Sequence, residues 1–216
     1  MGISTACGIV YEVCQEIVRC LLRSYIKVPH GHDAMAVVEG FKNAWDFPQC
    51  SGAVDGSHIP IITPAENATD YFYRKKFRSI VLQAIVDHEY RFMNVYAGWP
   101  GSVHDARILA NSDLFAMGEA GTLVPKSVQT MSGLPVPVVI LGDPAYPLLP
   151  WLMKAYPGVE LSAKHRKFNT RLSRALVVTE CAFGRLEGKW RCLLKRNDIN
   201  PFVPEFIIPV EPLNAR

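Results

Sequence analysis

Apolar residues recur at helical spacing near the N-terminus. Ile9, Val10, Val13, Ile17, Val18, Leu21 and Leu22 share one side of a predicted helix over residues 4 to 27, and Ser4-Thr5 can cap its start. A second helical pattern covers 33 to 46 and stops before Phe47-Pro48, because a residue ahead of proline is pushed out of the helical region. The period then changes. Residues 53 to 62, AVDGSHIPII, read as a strand with a polar insert. Residues 79 to 87 and 91 to 98 are two β-prone runs joined by His88-Glu89-Tyr90, the pattern of an antiparallel hairpin. Ser102 can cap a short helix over 103 to 111, and the connection to Pro137 shows no clear periodicity.

The run VPVVILG, 136 to 142, suits a strand buried on both faces and ends at Asp143. Pro147 and Pro150 frame the start of a predicted helix over 151 to 156. The longest helical pattern runs from 171 to 194, with Leu172, Leu176, Ala182, Phe183, Leu186, Trp190 and Leu193 on its apolar side. The order predicts a mixed α/β protein: a helical segment 1–47, a domain 48–200, and an irregular Pro-rich tail 201–216.

Composition narrows this only a little. A chain of 216 residues, 49% hydrophobic and 20% charged, fits one soluble globular domain with a sizeable core. No apolar run is long enough to span a bilayer, and the N-terminus lacks the pattern of a signal peptide. Met1-Gly2 invites a myristoylation reading, but Ala6 stands where that motif wants Ser or Thr. Cysteines 7, 14, 20, 50, 181 and 192 form no CxxC pair and are expected to be small core residues.

The net charge of +3 says less than its distribution. One basic run is Arg74-Lys75-Lys76-Phe77-Arg78, and the other is Lys164-His165-Arg166-Lys167 with Arg171 and Arg174. Such runs near acidic positions suit a bound polyanion.

Three acids stand in apolar surroundings. Asp55 interrupts a strand pattern in VDGSH, where Gly56 allows a close approach. Asp143 follows an apolar strand in ILGDPAYPL, the kind of position where α/β sheets bind ligands. Glu180 sits in VVTECAFGRL within the long helix, either as a working acid or as an edge residue paired to Arg174 or Arg185. Carboxylates brought together in this way hold hard cations such as Mg²⁺ or Mn²⁺ and serve phosphoryl chemistry. Asp105, in GWPGSVHDARIL, is a rival: as an early helical residue it either favours the helix dipole or ligates metal. His58 and His104 lack zinc-site spacing, and Trp99, Tyr71, Tyr73 and Tyr146 are candidates to stack on an exposed base or to pack internally.

The succession CSGAVDGSHIPI, YFYRKKFRSIVLQAIVD, GWPGSVHDARIL, ILGDPAYPLLPWLM and KHRKFNTRLSRALVVTECAFGRLEGKWRCL resembles the DDE endonuclease domain of PIF/Harbinger-type transposases. It is also similar to host proteins domesticated from them, the Harbinger-derived nuclease and plant antagonist-of-heterochromatin families. The resemblance covers 48 to 196 and implies a ribonuclease H-like α/β fold with a mixed sheet flanked by helices. It implies Asp55, Asp143 and Glu180 as catalytic and metal-binding acids, with Asp105 as a candidate further ligand, and 36 residues separate Asp143 from Glu180. It also implies a divalent metal, DNA as partner held by the two basic runs, a separate Myb-like DNA-binding protein, and action in the nucleus, with the cytoplasm as a second compartment.

Residues 1 to 28 resemble the end of a helix-turn-helix region, and the INPFVPEFIIPVEPLNAR end departs from the helix that family members continue into. Both features suggest a shortened chain. Three functions follow as expectations: a metal-dependent DNA endonuclease, a domesticated chromatin-associated protein with little catalysis, and a small-molecule phosphohydrolase. The last needs no flanking basic runs.

Overall fold

The structure, a computed structural model, describes residues 2–64 and 67–196. Helix α1 (Ile3–Ile17) starts after Gly2 and continues through a π-helical turn, Val18–Leu22, into α2 (Arg23–Tyr25). The predicted helix is present, yet Ile9, Val10, Val13, Ile17 and Leu21 of its apolar stripe remain exposed. Helix α3 (Gly31–Trp45) buries Ala34, Val37, Val38 and Phe41, the spacing of one helical face. It closes on Asp46 in the left-handed conformation, whose N–H returns to the Lys42 carbonyl at 3.1 Å.

Strands β1 (Cys50–Pro60), β2 (Phe72–Tyr73), β3 (Phe77–Val86) and β4 (Phe92–Pro100) follow. Helices α4 (Asp105–Ala110) and α5 (Asp113–Glu119) lead to a small hairpin, β5 (Val128–Met131) and β6 (Leu134–Pro137). Strands β7 (Val139–Gly142) and β8 (Leu152–Met153) precede α6 (Ala163–Lys189) and a 3₁₀ turn, Arg191–Leu194.

The central sheet has the order β4-β3-β1-β7-β8, with β2 added to the start of β3. β1, β3 and β4 pair antiparallel, while β1, β7 and β8 pair parallel. Helices α3 and α6 both pack on β1. The mixed sheet, with this order and its flanking helices, makes the fold ribonuclease H-like. One apolar cluster joins Phe41, Val54, Ile85, Ile140, Leu141, Leu172 and Val178 across sheet and helices. Burial on this scale is what holds the central strands together.

Several expectations need correction. Residues 152–153 form an edge strand rather than a helix: Ile140 N–H bonds the Trp151 carbonyl at 2.8 Å, so β7's open edge captures a short, proline-bounded apolar run. Ser102 does not cap α4. His104 takes that position, without a side-chain cap bond, and the Ser102 N–H goes to the Asp70 carbonyl.

The apparent strand over 136 to 142 breaks at Val138, its first two residues belonging to β6. Helix α6 starts eight residues earlier than its apolar pattern, because Ser162 caps it by accepting from the His165 N–H, and the intervening polar turns carry no period. Trp190 ends the helix and is 59% exposed. Of the described cysteines only Cys50 is buried, and Cys20 and Cys192 face solvent. The tail 201–216 lies outside the described residues. No described helix is long and apolar enough to cross a membrane.

Candidate active site

Strand β1 changes character halfway along. Cys50 to Val54 are fully buried, whereas Asp55 to His58 are partly open. In the parallel ladder Val54 pairs with Gly142, so the next residue of each strand is Asp55 and Asp143. β7 ends there and β1 continues. The two acids therefore stand at neighbouring positions where the parallel pairing stops, the place where α/β sheets present ligand sites.

Beyond this point β1 sorts its side chains by parity. Asp55 and Ser57 reach α6: the Thr179 hydroxyl lies 3.4 Å from Asp55 Oδ2, and Ser57 Oγ donates to Glu187 Oε1 at 2.9 Å. Gly56 and His58 face the other way. A Cβ on Gly56 would sit 3.0 Å from Asp105 Oδ1 and 3.3 Å from a Val81 methyl, so the missing side chain is what admits the Asp105 carboxylate. Gly101 serves the adjoining turn, where a Cβ would come within 2.2 Å of Ser79 Oγ.

Asp55, Asp105 and Asp143 line one cavity of about 440 Å³, together with Gly56, His58, Tyr73 and Arg74. Burial pushes the Asp55 carboxyl up to about 6, opposed by the Gly56 N–H and reinforced by Asp143 and Asp105. Burial also raises Asp105, again with Asp143 adding to it. Asp143 Oδ1 accepts from the Ala145 N–H at 2.9 Å, the geometry of an Asx turn. Beneath the acids, Gln83 Nε2 donates to the Tyr146 hydroxyl at 3.1 Å and leaves its buried Oε1 unpartnered. Burial and the nearby carboxylates together lift the Tyr146 phenol well above its ordinary range.

Glu180 does not line this cavity. Its side chain is exposed on α6, directly after Thr179, and among the described residues no ion pair joins it to Arg174 or Arg185. Residues seven apart on a helix differ by only about 20° in direction, so Glu180 shares a line with Glu187, the residue that meets Ser57.

The first basic run forms the tip of a β2–β3 hairpin. Tyr73 pairs with Phe77, Lys76 closes the three-residue loop with φ 68°, and its N–H bonds the Tyr73 carbonyl at 2.9 Å. Arg74, Lys75 and Lys76 are exposed, while Arg78 is partly buried with its guanidinium 5.9 Å over Phe72. The second run occupies the first turns of α6. Lys164, Arg166 and Lys167 are exposed, with Arg166 also donating to the Leu161 carbonyl, and His165 stacks on Tyr156 at 4.0 Å. Arg171 is held by Asp46 at 2.7 Å, and Arg174 is exposed. Only Arg74 of the two runs lines the acid cavity.

Of the aromatic candidates, Tyr71 and Tyr146 are core residues and Tyr73 faces the cavity. Thr179, Gln83 and Glu187 were not legible as site neighbours. A strand's parity could have signalled Ser57's contact with α6, but no local pattern names its partner.

Carboxylates are acceptor-only, Asp143 adds to the upward shift of both Asp55 and Asp105, and among the described residues no Lys or Arg is ion-paired with any of the three. That chemistry suits a hard cation. Among the described residues, no three His, Cys, Asp or Glu side chains converge closely enough to hold a metal ion.

The fold, with this acidic cavity at the end of a parallel strand pair, defines a ribonuclease H-like domain. The chain belongs to the DDE superfamily endonuclease family, whose model matches residues 54–208. It is 31% identical over 175 residues to the Arabidopsis thaliana protein Antagonist of Like Heterochromatin Protein 1, covering 80% of this chain and 44% of that one. It is 35% identical over 157 residues to the Arabidopsis thaliana protein named ALP1-like, covering 71% and 38%. It is 30% identical over 158 residues to the Homo sapiens protein named Putative nuclease HARBI1, covering 73% and 42%. The chain thus spans less than half the length of these relatives. No solved structure matches it.

Proposed function

We propose that this chain is the catalytic part of a divalent-metal-dependent DNA endonuclease that hydrolyses phosphodiester bonds. The observation that carries the reading is the side-by-side position of Asp55 and Asp143 where the β1–β7 ladder ends, facing a cavity that Arg74 also lines. Asp55, Asp143 and Glu180 would hold the metal. A cation bound there supplies charge neutralisation at the phosphate and lowers the pKa of water.

Glu180 earns its inclusion from α6, which touches Asp55 through the preceding residue, Thr179, and from its alignment with Glu187. Asp105 approaches from the opposite side of β1 and adds negative charge to the cavity without reaching α6. Gln83 and Tyr146 form a buried floor that fixes the backbone at Asp105, through a long contact of 3.5 Å to its carbonyl. The exposed cations of the hairpin tip and the α6 N-terminus contact backbone phosphates and carry no sequence preference of their own. The same reading gives the chain DNA as its ligand, the nucleus as its place of action, and a separate Myb-like DNA-binding protein as partner.

The test is nicking of supercoiled plasmid by purified protein with Mn²⁺ or Mg²⁺. Asp55→Asn, Asp143→Asn and Glu180→Gln should each abolish nicking, and Asp105→Asn should slow it about a hundredfold, the lower end of the range for one positioned electrostatic group. Full activity in Glu180→Gln, with loss in Asp105→Asn, would transfer the third acid to Asp105. The match to a protein named as an antagonist of a heterochromatin protein favours a second reading, a DNA- or chromatin-associated protein without cleavage. Tight DNA binding with no nicking under either metal would select it.

A further inference from the structure

The cavity has an aromatic wall that the acids do not explain. Phe72 lines it and is 47% exposed, a large apolar ring left open to solvent beside charged groups. Tyr73 stacks on His58 with ring centroids 3.4 Å apart and an 18° tilt, and meets Phe77 edge-on at 5.4 Å. His58 is fixed in turn by Ser79 Oγ, 2.9 Å from its Nδ1. The wall is therefore braced from behind, on the sheet side.

Cations surround it. The Arg74 guanidinium lies 5.8 Å and the Lys75 ammonium 6.0 Å from the Tyr73 ring centre, and Arg78 lies over Phe72. Burial, with Arg74 and Lys75 adding, lowers the His58 pKa to about 4, which keeps the imidazole neutral at pH 7 and able to stack without charge repulsion from them. The room suits one flat ligand unit: a volume of about 440 Å³ lies in the range of small-ligand sites.

We propose that Phe72 and Tyr73 form a platform for one unpaired nucleobase of the DNA substrate, held out of the stack next to the phosphate that faces Asp55 and Asp143. The proposal rests on the nuclease reading above and names its substrate: DNA with an unstacked nucleotide at the cleavage point. Three features favour a base over other flat groups. Aromatic faces stack any base, the adjoining cations match a phosphate backbone, and the acids line the same cavity. A continuous duplex presents no free base face to such a wall, so an unpaired nucleotide should bind better.

The experiment uses the whole 216-residue chain with Ca²⁺ in place of Mg²⁺ and two oligonucleotide duplexes. One carries a single unpaired 2-aminopurine, the other is fully paired with 2-aminopurine in the stack. Wild-type protein should bind the first more tightly and quench its fluorescence. Phe72→Ala and Tyr73→Leu should each weaken that binding about tenfold, the loss of one base–aromatic stack, while changing affinity for the paired duplex far less. Tyr73→Phe keeps the ring and should restore quenching, which separates stacking from loss of fold.

Equal weakening for both duplexes, or no quenching by wild type, would overturn the platform. Absence of nicking by wild type with Mg²⁺ or Mn²⁺ would instead overturn the nuclease assignment, leaving the base-binding result to stand alone.

Discussion

The two halves of β1 are built to different ends. From Cys50 to Val54 the strand is buried throughout, Ala53 and Val54 are paired on both edges, and its neighbours are Leu141, Ile85 and the apolar side of α6. From Asp55 onward it keeps β3 but loses β7, and Asp55 to His58 form a half-open, largely polar stretch before Ile59 is buried again. One covalent strand is a structural axle at one end and a chemical edge at the other. The transition falls at Asp55, which explains how an acid can be tolerated there: it stands at the first position where the sheet no longer covers it completely.

The comparison sharpens when each half is damaged. Leu141, opposite Ala53 and fully buried, is the core's side of it. Leu141→Ala should cost about 2–5 kcal/mol in chemical denaturation, with little change in nicking rate per folded molecule. Gly56→Ala is the converse: the new Cβ presses on the Asp105 carboxylate and on Val81, so nicking should fall about tenfold while the unfolding midpoint moves by roughly 1 kcal/mol.

The pH dependence belongs to the chemical half. Asp55's pKa in the folded protein lies above its unfolded value, so the native state binds the extra proton. Its contribution to stability is full below the unfolded value of 3.8 and is lost as pH rises through about 6. Metal-free wild type should therefore lose stability across that window relative to Asp55→Asn, which lacks the titration, as followed by thermal melts at stepped pH. The smallest effect is expected for Ser57→Ala, which removes the bond to Glu187 and should cost about 1 kcal/mol, since both partners are only half-buried.

Much of this was legible in the chain. The β3–β4 hairpin was readable because two β-prone runs flank a polar turn, and Asp87 binds that turn by accepting from the Glu89 and Arg91 N–H groups. Asp55 and Asp143 were readable because an acid inside or directly after an apolar strand calls for compensation. β8 was not, since six residues between prolines have no period to measure and an open strand edge decided their fate. Asp105's place in the cavity was also hidden. It depends on Gly56 lacking a side chain 49 residues earlier, a contact between faces that no local pattern carries. Helix α1 failed in the other sense: its period predicted the helix correctly, but amphipathicity alone does not supply the surface that would bury Ile9, Val13 and Ile17.

The central claim, that the chemical half of β1 and the end of β7 form a cation site, is tested most directly by calorimetric titration of Mn²⁺ into wild type, Asp55→Asn and Asp143→Asn at neutral pH. Wild type should give a saturable heat that disappears in both variants, with each variant still folded by circular dichroism. Equal Mn²⁺ binding in all three proteins would contradict it.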